Sequence, residues 1–561
     1  MRVLRERIAD SLRSLRGVFA NADLRRLELA WAGSNIGGWA YSVGVAVFAY
    51  DAGGATAVGL VAFARMLASA LVAPFFGVLA DRYPRRAVMV VSDLTRAAAL
   101  VAAAAGALAG GPPIIVYLMT GIVSIASTAF QPAQSAILPA LAHEPEELAA
   151  ANVASSTIES VAIFAGPALG GLLLVVTSPG VVFAATASTF VWSALLVVRI
   201  TAETKASGET DAAKSEDPTR RIVREAIIGV TTIAGDARLR LLIGLYGVQT
   251  FVHGLLNVLL VVIALKLLGL GEGGVGYLNS AVGIGGVIGA LFALMLVGRR
   301  RLAGAFGLGI VAWGVPIALI GIWANSIAAF VFLAVLGIGN TVVDVAALTL
   351  LQRAVPDEVL GRVFGVLESL ILATIGLGSI LAPALVSLLG IRGALIATGA
   401  ILPTLAALTW RSLVAIDAAV EVPAEQIALL RGVPFLAGLP TPTLERLAEK
   451  LQPVELKAGT VVFRQGEEGD RFYVVAGGAV DVVAEGRKLA SFGEGYYFGE
   501  IALLHGIPRT ATVTAASDVE LYALERDDFL AAVTGHAPTA EQADAVIGRR
   551  MRALRAGVVS L

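Results

Sequence analysis

Long apolar runs fill the first three quarters of the chain, each near the roughly 20 residues that a helix needs to cross a bilayer. They fall at 27–50, 57–80, 87–109, 113–138, 150–176 and 180–200, then at 239–268, 273–297, 303–323, 327–351, 363–389 and 392–415. The pattern predicts about twelve spanning helices, six on each side of a hydrophilic stretch. From about 429 the period changes. VVFRQGEEGD, RFYVVAGGAVDVVAEG and KLASFGEGYYFGE read as short strands broken by tight glycine turns, the pattern of a β-roll. PTLERLAEKL before them and ERDDFLAAV after them read as amphipathic helices. The fold class is therefore multi-domain: an α-helical membrane bundle of two six-helix halves, then a C-terminal β-roll flanked by helices.

Composition agrees. Of 561 residues 57% are hydrophobic and 15% charged, with mean hydropathy +0.81, whereas soluble domains carry roughly 25% charged residues. A net charge of −1 excludes a nucleic-acid binder that works through a basic surface. The chain has no cysteine, which removes disulfides, thiol catalysis and Cys-based zinc or iron–sulfur sites, and its four His argue against a metal enzyme. No metal and no cofactor are expected.

Residues 1–26 are rich in arginine, without a long apolar core or a small-residue cleavage pattern, so no removable leader is expected. Arg2, Arg5, Arg7, Arg13 and Arg16 alternate with Leu4, Ile8, Leu12, Leu15 and Phe19 at helical spacing. That fits either an interfacial amphipathic helix on anionic lipid or a plain basic tail. Arg25/Arg26, Arg82/Arg85/Arg86, Arg220/Arg221/Arg224, Arg299/Arg300/Arg301 and Arg353/Arg362 fall on one side of the bundle. The opposite loops (DAGGAT at 51, AGGPP at 109, TSPG at 177, LGEGG at 268) carry no Lys or Arg, with Arg392 the exception. The positive-inside rule then places both termini, the 201–238 linker and the C-terminal roll on the cytoplasmic side of the cell membrane, and a bacterial membrane is expected. The expected divisions are an N-terminal segment at 1–26, six-helix halves at 27–200 and 239–415, and a polar, Pro-broken flexible linker at 201–238. A second linker follows at 416–428, then a soluble domain at 429–545 and a tail at 546–561.

The halves echo each other. LPALAHEPEELAAAN (138–152) and LLQRAVPDEVLGRV (350–363) each lie between the fourth and fifth spans of their half, and GPAL at 166 and APAL at 382 follow. Parallel repetition of this kind places a substrate path between two rocking halves. GVLADRYPRR (Gly77 to Arg86) joins the second and third spans. It resembles the loop signature of the major facilitator superfamily, G-x-L-x-D-R-x-G-R-R/K, with Pro84 in place of the usual second glycine. The resemblance covers about 25–415 and implies a gating loop of Gly77, Asp81, Arg82, Arg85 and Arg86 that locks one alternating-access state. In the second half VGRRRLAG stands instead. GPALGG, with Gly166, Pro167, Gly170 and Gly171, resembles the family's antiporter motif; ordinary small-residue packing is the other reading. FQPAQSAILPALAHEPEELAAAN (130–152) and DLTRA (93–97) are similar to the drug-exporter branch related to macrolide and siderophore exporters.

Charges inside spans are functional candidates because hydrocarbon makes them costly. They are Arg65, Asp93, Arg96, Glu159, His253, Asp344 and Glu368. Asp93 and Arg96 share a helix face and suit a local pair. Glu159 and Asp344 are candidate proton carriers, or structural partners of a buried arginine. Asn35, Gln131, Gln134, His253, Asn257 and Asn340 offer polar groups for a path.

FGEIALLHGIPRTATV (Phe498 to Val513) sets a carboxylate, Glu500, and a guanidinium, Arg509, at opposite ends of a short Ala-rich loop. A cyclic nucleotide needs those two groups, an acceptor for a ribose hydroxyl and a cation for one phosphate. The segment at 429–535 resembles the cyclic nucleotide-binding domain of protein kinase A regulatory subunits, cation channels and bacterial catabolite activators. The resemblance implies a ligand cassette of Phe498, Gly499, Glu500, Ile501, Ala502, Arg509, Thr510 and Ala511. In it Glu500 accepts the ribose 2′-hydroxyl and Arg509 pairs the phosphate, with backbone N–H groups near Ala502 and Thr510. Gly466, Gly469 and Gly478 resemble the family's turn glycines. Thr510 stands where kinase A-like cassettes carry Ala; a hydroxyl there accompanies cGMP acceptance, but bacterial cAMP sensors carry Ser or Thr too. The regulatory ligand is read as cAMP, with cGMP as the alternative. PTAEQADAVIGRRMRALRA (538–556) suits a helix closing over the base.

These readings converge on a cyclic-nucleotide-regulated secondary transporter, a proton-coupled exporter of a small amphipathic molecule, working in the lipid bilayer. The cassette holds no activated nucleophile or base, so an enzyme is not expected. The other class left open is a membrane-anchored receptor whose bundle no longer transports.

Overall fold

Glycine decides where the two longest helices turn back. In the computed structural model, α1 runs Ala22–Arg82 and breaks at Gly53 and Gly54, where Gly54 takes φ 63° and ψ −158°. The last bundle helix, α11 (Asp357–Ala419), breaks in the same way at Gly390, with φ 69° and ψ 173°. A left-handed residue interrupts the i→i−4 ladder, and only glycine adopts it without strain. The DAGGAT stretch, expected as a short loop, is thus a two-glycine turn flanked directly by helix. The structure describes residues 18–142, 145–201, 218–294, 302–355, 357–419, 424–439 and 441–534, with 543, 546 and 548. Outside them lie residues 1–17, Arg299 to Arg301 and most of the 538–556 segment expected as a closing helix.

Between the two broken helices run α2 (Arg85–Leu108), α3 (Pro113–Leu141), α4 (Pro145–Val176), α5 (Pro179–Val198), α6 (Pro218–Gly235) and α7 (Ala237–Val262). They continue as α8 (Gly271–Leu294), α9 (Leu302–Ile322) and α10 (Ser326–Ala354). Among the described residues, ten helices are long and apolar enough to cross a membrane, and two of those stretches, of 51 and 58 residues, are long enough to cross twice. The count is therefore twelve passages, six before α6 and six after it. Leu388, Ile327 and Leu408 point outward at 80%, 77% and 76% exposure, the reverse of a soluble surface and suited to lipid.

The 201–238 linker departs from expectation. Although read as flexible, it is helical as α6 from Pro218. Gly229 lets α6 approach α11, since a Cβ there would lie 2.6 Å from the Arg362 carbonyl oxygen, and Ile233 joins the Leu239–Val363–Leu367 cluster. The described helix from Pro218 is held by this apolar packing, while residues 202–217 lie outside the described residues.

Across the bundle the halves touch through bare backbone. A Cβ at Gly276 of α8 would sit 2.3 Å from the Pro167 carbonyl oxygen of α4, and one at Gly171 would sit 2.7 Å from the Gly273 carbonyl oxygen. Ser280 Oγ donates to the Phe164 carbonyl at 2.9 Å. At Gly59, on the second limb of α1, a Cβ would lie 2.4 Å from the Ser379 carbonyl oxygen of α11. Without a hydrophobic drive in lipid, such close approach supplies the dispersion contact that holds helices together.

The chain divides into two compact units, Met1–Asp417 and Ala418–Leu561. The second contains α12 (Ala424–Gly432), α13 (Thr441–Lys450), eight strands and α14 (Glu500–His505) and α15 (Arg526–Thr534). Its strands are β1 (Gln452–Leu456), β2 (Val461–Phe463), β3 (Arg471–Gly477), β4 (Val480–Ala484), β5 (Arg487–Phe492), β6 (Tyr497–Phe498), β7 (Thr512–Ala515) and β8 (Val519–Glu525). They form two antiparallel four-stranded sheets, β1-β8-β3-β6 and β2-β7-β4-β5. Tyr473, Val475, Phe492, Phe498, Val513 and Leu521 fill the space between the sheets, as the period-two alternation requires. On the outer side, Leu430, Phe435, Leu447 and Phe529 from the helices cover Phe472, Val474 and Leu524. The roll expected from the strand pattern is the fold observed.

Candidate functional site

The roll carries a buried ionic site around α14. Phe498 ends β6 and stacks on Tyr473 of β3 at 5.2 Å, which anchors the entry to the loop. Gly499 follows with φ 94°. A Cβ at Gly499 would stand 2.8 Å from Arg509 Nη1 and 2.9 Å from the Arg471 carbonyl oxygen, so both conformation and space demand glycine. Glu500 opens α14 at 1% exposure, and Ile501 and Ala502 are buried with it. Gly506, at φ 62°, ends the helix, and the chain passes through Pro508 to Arg509.

Arg509 is 2% exposed. Its Nη1 donates to the Gly499 carbonyl at 3.1 Å, and its Nη2 donates to the Arg471 carbonyl at 2.8 Å and to Asp470 Oδ1 at 3.1 Å. The guanidinium lies over the Phe463 ring, 4.1 Å from its centre. Nε is buried without a partner among the described residues. Burial pulls the Arg509 pKa below the ordinary guanidinium value, opposed by Tyr473, Asp470 and Glu500. Arginine nonetheless stays protonated. The result is a fixed cation, ringed by carbonyls and one carboxylate, beside a second carboxylate on a glycine-led helical turn. Such a site can take an anion at the fork and a hydroxyl at Glu500.

Main-chain bonds hold the frame. Gly466, at φ 91°, donates to the Arg509 carbonyl at 2.9 Å, while Arg509 N donates to the Glu467 carbonyl at 2.8 Å. Gly478 is also left-handed, at φ 81°. Gly469 is not; it serves close approach, because a Cβ there would sit 2.8 Å from Ala502 Cβ. Expected as a turn glycine, it is a packing glycine instead. Thr510 is half-buried and Ala511 buried. Asp470 and Phe463 are not among the site residues that the sequence pointed to. The one available signal was the acid immediately after GEEG, at the start of β3.

In the bundle the expected residues scatter. Gly77, Asp81 and Arg82 fall in the last turns of α1, where the side chains lie outside the described residues. Arg85 donates to the Ala136 carbonyl of α3 at 2.6 Å, and Arg86 to the Ile200 carbonyl at 2.7 Å. Gly166 and Gly170 pack α4 onto α1: a Cβ would meet Trp39 Cβ at 2.4 Å and the Ala40 carbonyl oxygen at 2.8 Å respectively. Pro167 and Gly171 face α8.

Arg65 donates to Ser124 Oγ at 2.8 Å. Asp93 and Arg96 pair with each other, and Arg96 also reaches Ser34 Oγ at 3.1 Å and lies between the rings of Phe130 and Phe190. Glu159 and Glu368 are exposed on their helices. Next to Glu159, Asn152, Val153, Ser156, Thr157 and Ser160 line an open cavity of about 340 Å³. Asp344 is half-buried in a hydrogen-bonded cluster, accepting from Tyr246 Oη and Asn340 Nδ2, both at 2.8 Å. Asn340 Oδ1 accepts in turn from Trp313 Nε1 at 2.8 Å and Gln249 Nε2 at 3.2 Å, and the His253 ring lies 5.8 Å from that of Trp313. A further carboxylate, Glu28, was missed because it opens the first apolar run among charged neighbours; it is 0% exposed.

Two known families match. Residues 29–366 and 242–465 match the Major Facilitator Superfamily, and residues 453–536 match the cyclic nucleotide-binding domain. Among curated proteins, a cAMP-dependent protein kinase regulatory subunit of Yarrowia lipolytica is 39% identical over 102 residues, 18% of this chain and 27% of that protein. Among solved structures, the regulatory domain of Toxoplasma gondii PKA with cAMP is 29% identical, over 23% of this chain and 51% of that one, with a TM-score of 0.21. The catabolite activator protein of Thermus thermophilus is 34% identical, over 21% of this chain and 58% of that one, with a TM-score of 0.20. The chain thus spans about a quarter of the curated relative and about half of each solved structure.

Proposed function

Because the chain belongs to the Major Facilitator Superfamily, whose match takes in residues 29–366 and 242–465, we propose that its bundle is a secondary transporter regulated by a cyclic nucleotide bound around α14. The observation that carries this reading is the buried pair of Glu500 and Arg509, at 1% and 2% exposure, in a chain with twelve apolar passages. A buried guanidinium is costly to keep unless an anion completes its shell, and here the exposed Asp470 supplies that anion. A cyclic phosphate would take the Arg509 fork in place of Asp470, whose side chain is 71% exposed and free to swing out. Glu500 would accept the ribose hydroxyl. The ligand we favour is cAMP.

Transport is read more finely as proton-coupled export of a small amphipathic molecule. Support comes from the resemblance to the drug-exporter branch, from the open cavity on α4 beside Glu159, and from the Asp344 cluster. The Arg-rich loops support a cytoplasmic position for both termini and the roll. Nucleotide then acts by its differential affinity for the inward-open and outward-open states, typically 1–3 kcal/mol of coupling.

The test is transport of a fluorescent amphipathic cation in proteoliposomes, with and without saturating cAMP, for wild type and Arg509→Ala. The wild-type rate is expected to change with cAMP and the Arg509→Ala rate to ignore it. A wild type that binds cAMP yet transports at an unchanged rate would defeat the regulatory reading, and one that moves no probe at all would favour the receptor.

A further inference from the structure

Glu28 lies in the first passage, where α1 meets α3 and α4. Its Oε1 accepts from Ser155 Oγ of α4 at 2.7 Å, and Ser155 Oγ in turn accepts from Gln134 Nε2 of α3 at 3.2 Å. Trp31 Nε1 donates to the Ser155 carbonyl at 3.3 Å, which fastens α1 to the same point. Glu28 Oε2 is buried and has no hydrogen-bond partner among the described residues. An ionised carboxylate offers about four acceptor sites, and one hydrogen bond leaves most of that charge unanswered in a dry interior.

Among the described residues, the buried and half-buried cations around this point are committed elsewhere. Arg96 of α2 is held by Asp93, Ser34 and two aromatic faces. Arg65 reaches Ser124, Arg85 the Ala136 carbonyl and Arg86 the Ile200 carbonyl. Arg26 bonds Asp23 and the Arg199 carbonyl, while Glu147 of α4 accepts from Asn21. The group bonded to Glu28 is the uncharged Ser155, which in turn accepts from the uncharged Gln134.

We propose that Glu28 is a proton-binding site of the N-terminal half. An O–H bond forms at Oε2 with a proton from water, so that the carboxyl is a neutral acid in the conformation seen here. Release is tied to α4, the helix that carries both Ser155 and the glycines packed on α1 and across the seam onto α8. When that seam opens, water reaches Oε2 while Ser155 stays on Oε1 within the packed α1–α4 pair. The carboxyl then returns its proton to solvent. As a coupling site this rests on the proton-coupled transporter reading; as a protonation site it stands apart from it.

Infrared difference spectroscopy of the purified full chain, titrated through neutral pH, reads the protonation directly. A carboxylic-acid carbonyl band is expected in wild type, present in Asp93→Asn and Asp344→Asn, and lost in Glu28→Gln. The same band in wild type and in folded Glu28→Gln would overturn the proposal. Ser155→Ala keeps the acid and removes its one hydrogen bond, so the band should shift; an unshifted band would also count against it. Thermal melting of Glu28→Gln should match wild type at neutral pH, because the amide keeps the volume and the acceptor for Ser155. In proteoliposomes a pH gradient should drive the dye in wild type and not in Glu28→Gln. A wild type indifferent to the gradient would sink proton-coupled transport, while the infrared band still decides Glu28.

Discussion

Arg509 shows how much one side chain commits in advance. Three acceptors and an aromatic face hold its fork in position, so a phosphate meets a cation whose side-chain entropy is already spent. Arg509→Ala should weaken cAMP binding by about 1.5–3 kcal/mol, roughly 10- to 150-fold, by calorimetry on the full chain. Arg509→Lys should recover only part of that loss, because an ammonium is a point charge where the site presents a planar fork. Thr510 tests the base. If its half-buried hydroxyl reaches a guanine amino group, Thr510→Ala will lower cGMP affinity more than cAMP affinity. Equal losses in competition binding would assign Thr510 to the backbone cradle alone.

Glycines do at the scale of elements what charges do at the scale of residues. Gly499 is left-handed and pressed against both Arg509 and β3, so Gly499→Ala combines backbone strain with a clash. A loss on the order of 1–3 kcal/mol in the stability of the roll is expected, read as a lower melting temperature, with nucleotide affinity falling alongside. Gly276→Val should force α8 off α4, since its Cβ would lie 2.3 Å from the Pro167 carbonyl oxygen. Thermal melting of the purified full chain should then show a lower midpoint for Gly276→Val than for wild type, and an unchanged midpoint would mean that the seam does not depend on this contact. GPALGG was legible as a motif, but its two faces were not: Gly166 and Gly170 serve α1, while Gly171 serves α8. Spacing along one helix cannot say which neighbour each glycine meets.

Two compact units on one chain raise a question of linkage that binding alone can answer. If nucleotide shifts the transport equilibrium, thermodynamic reciprocity requires a transported substrate to shift nucleotide affinity by the same factor. We expect the Kd for cAMP of the full chain to change when a transported dye is added. The fragment 417–561 should fold, bind cAMP and show no such change. An identical, dye-independent Kd in both would mean that the roll senses without regulating.

Apolar runs of membrane length determine the helical passages by themselves, because in hydrocarbon each span must satisfy its own backbone and needs no partner to do so. The glycine-led cassette is local in the same sense: Phe498 to Ala511 carries its own turn, its acid and its arginine. The partners that give those groups their chemistry come from far along the chain. Asp470 reaches Arg509 from 39 residues away, and Ser155 meets Glu28 across 127. Only tertiary packing decides such meetings, because hydropathy and period say that a residue is buried and not what it will be buried against. For a charge in a dry interior, that neighbour settles whether it binds a ligand, pairs, or takes up a proton.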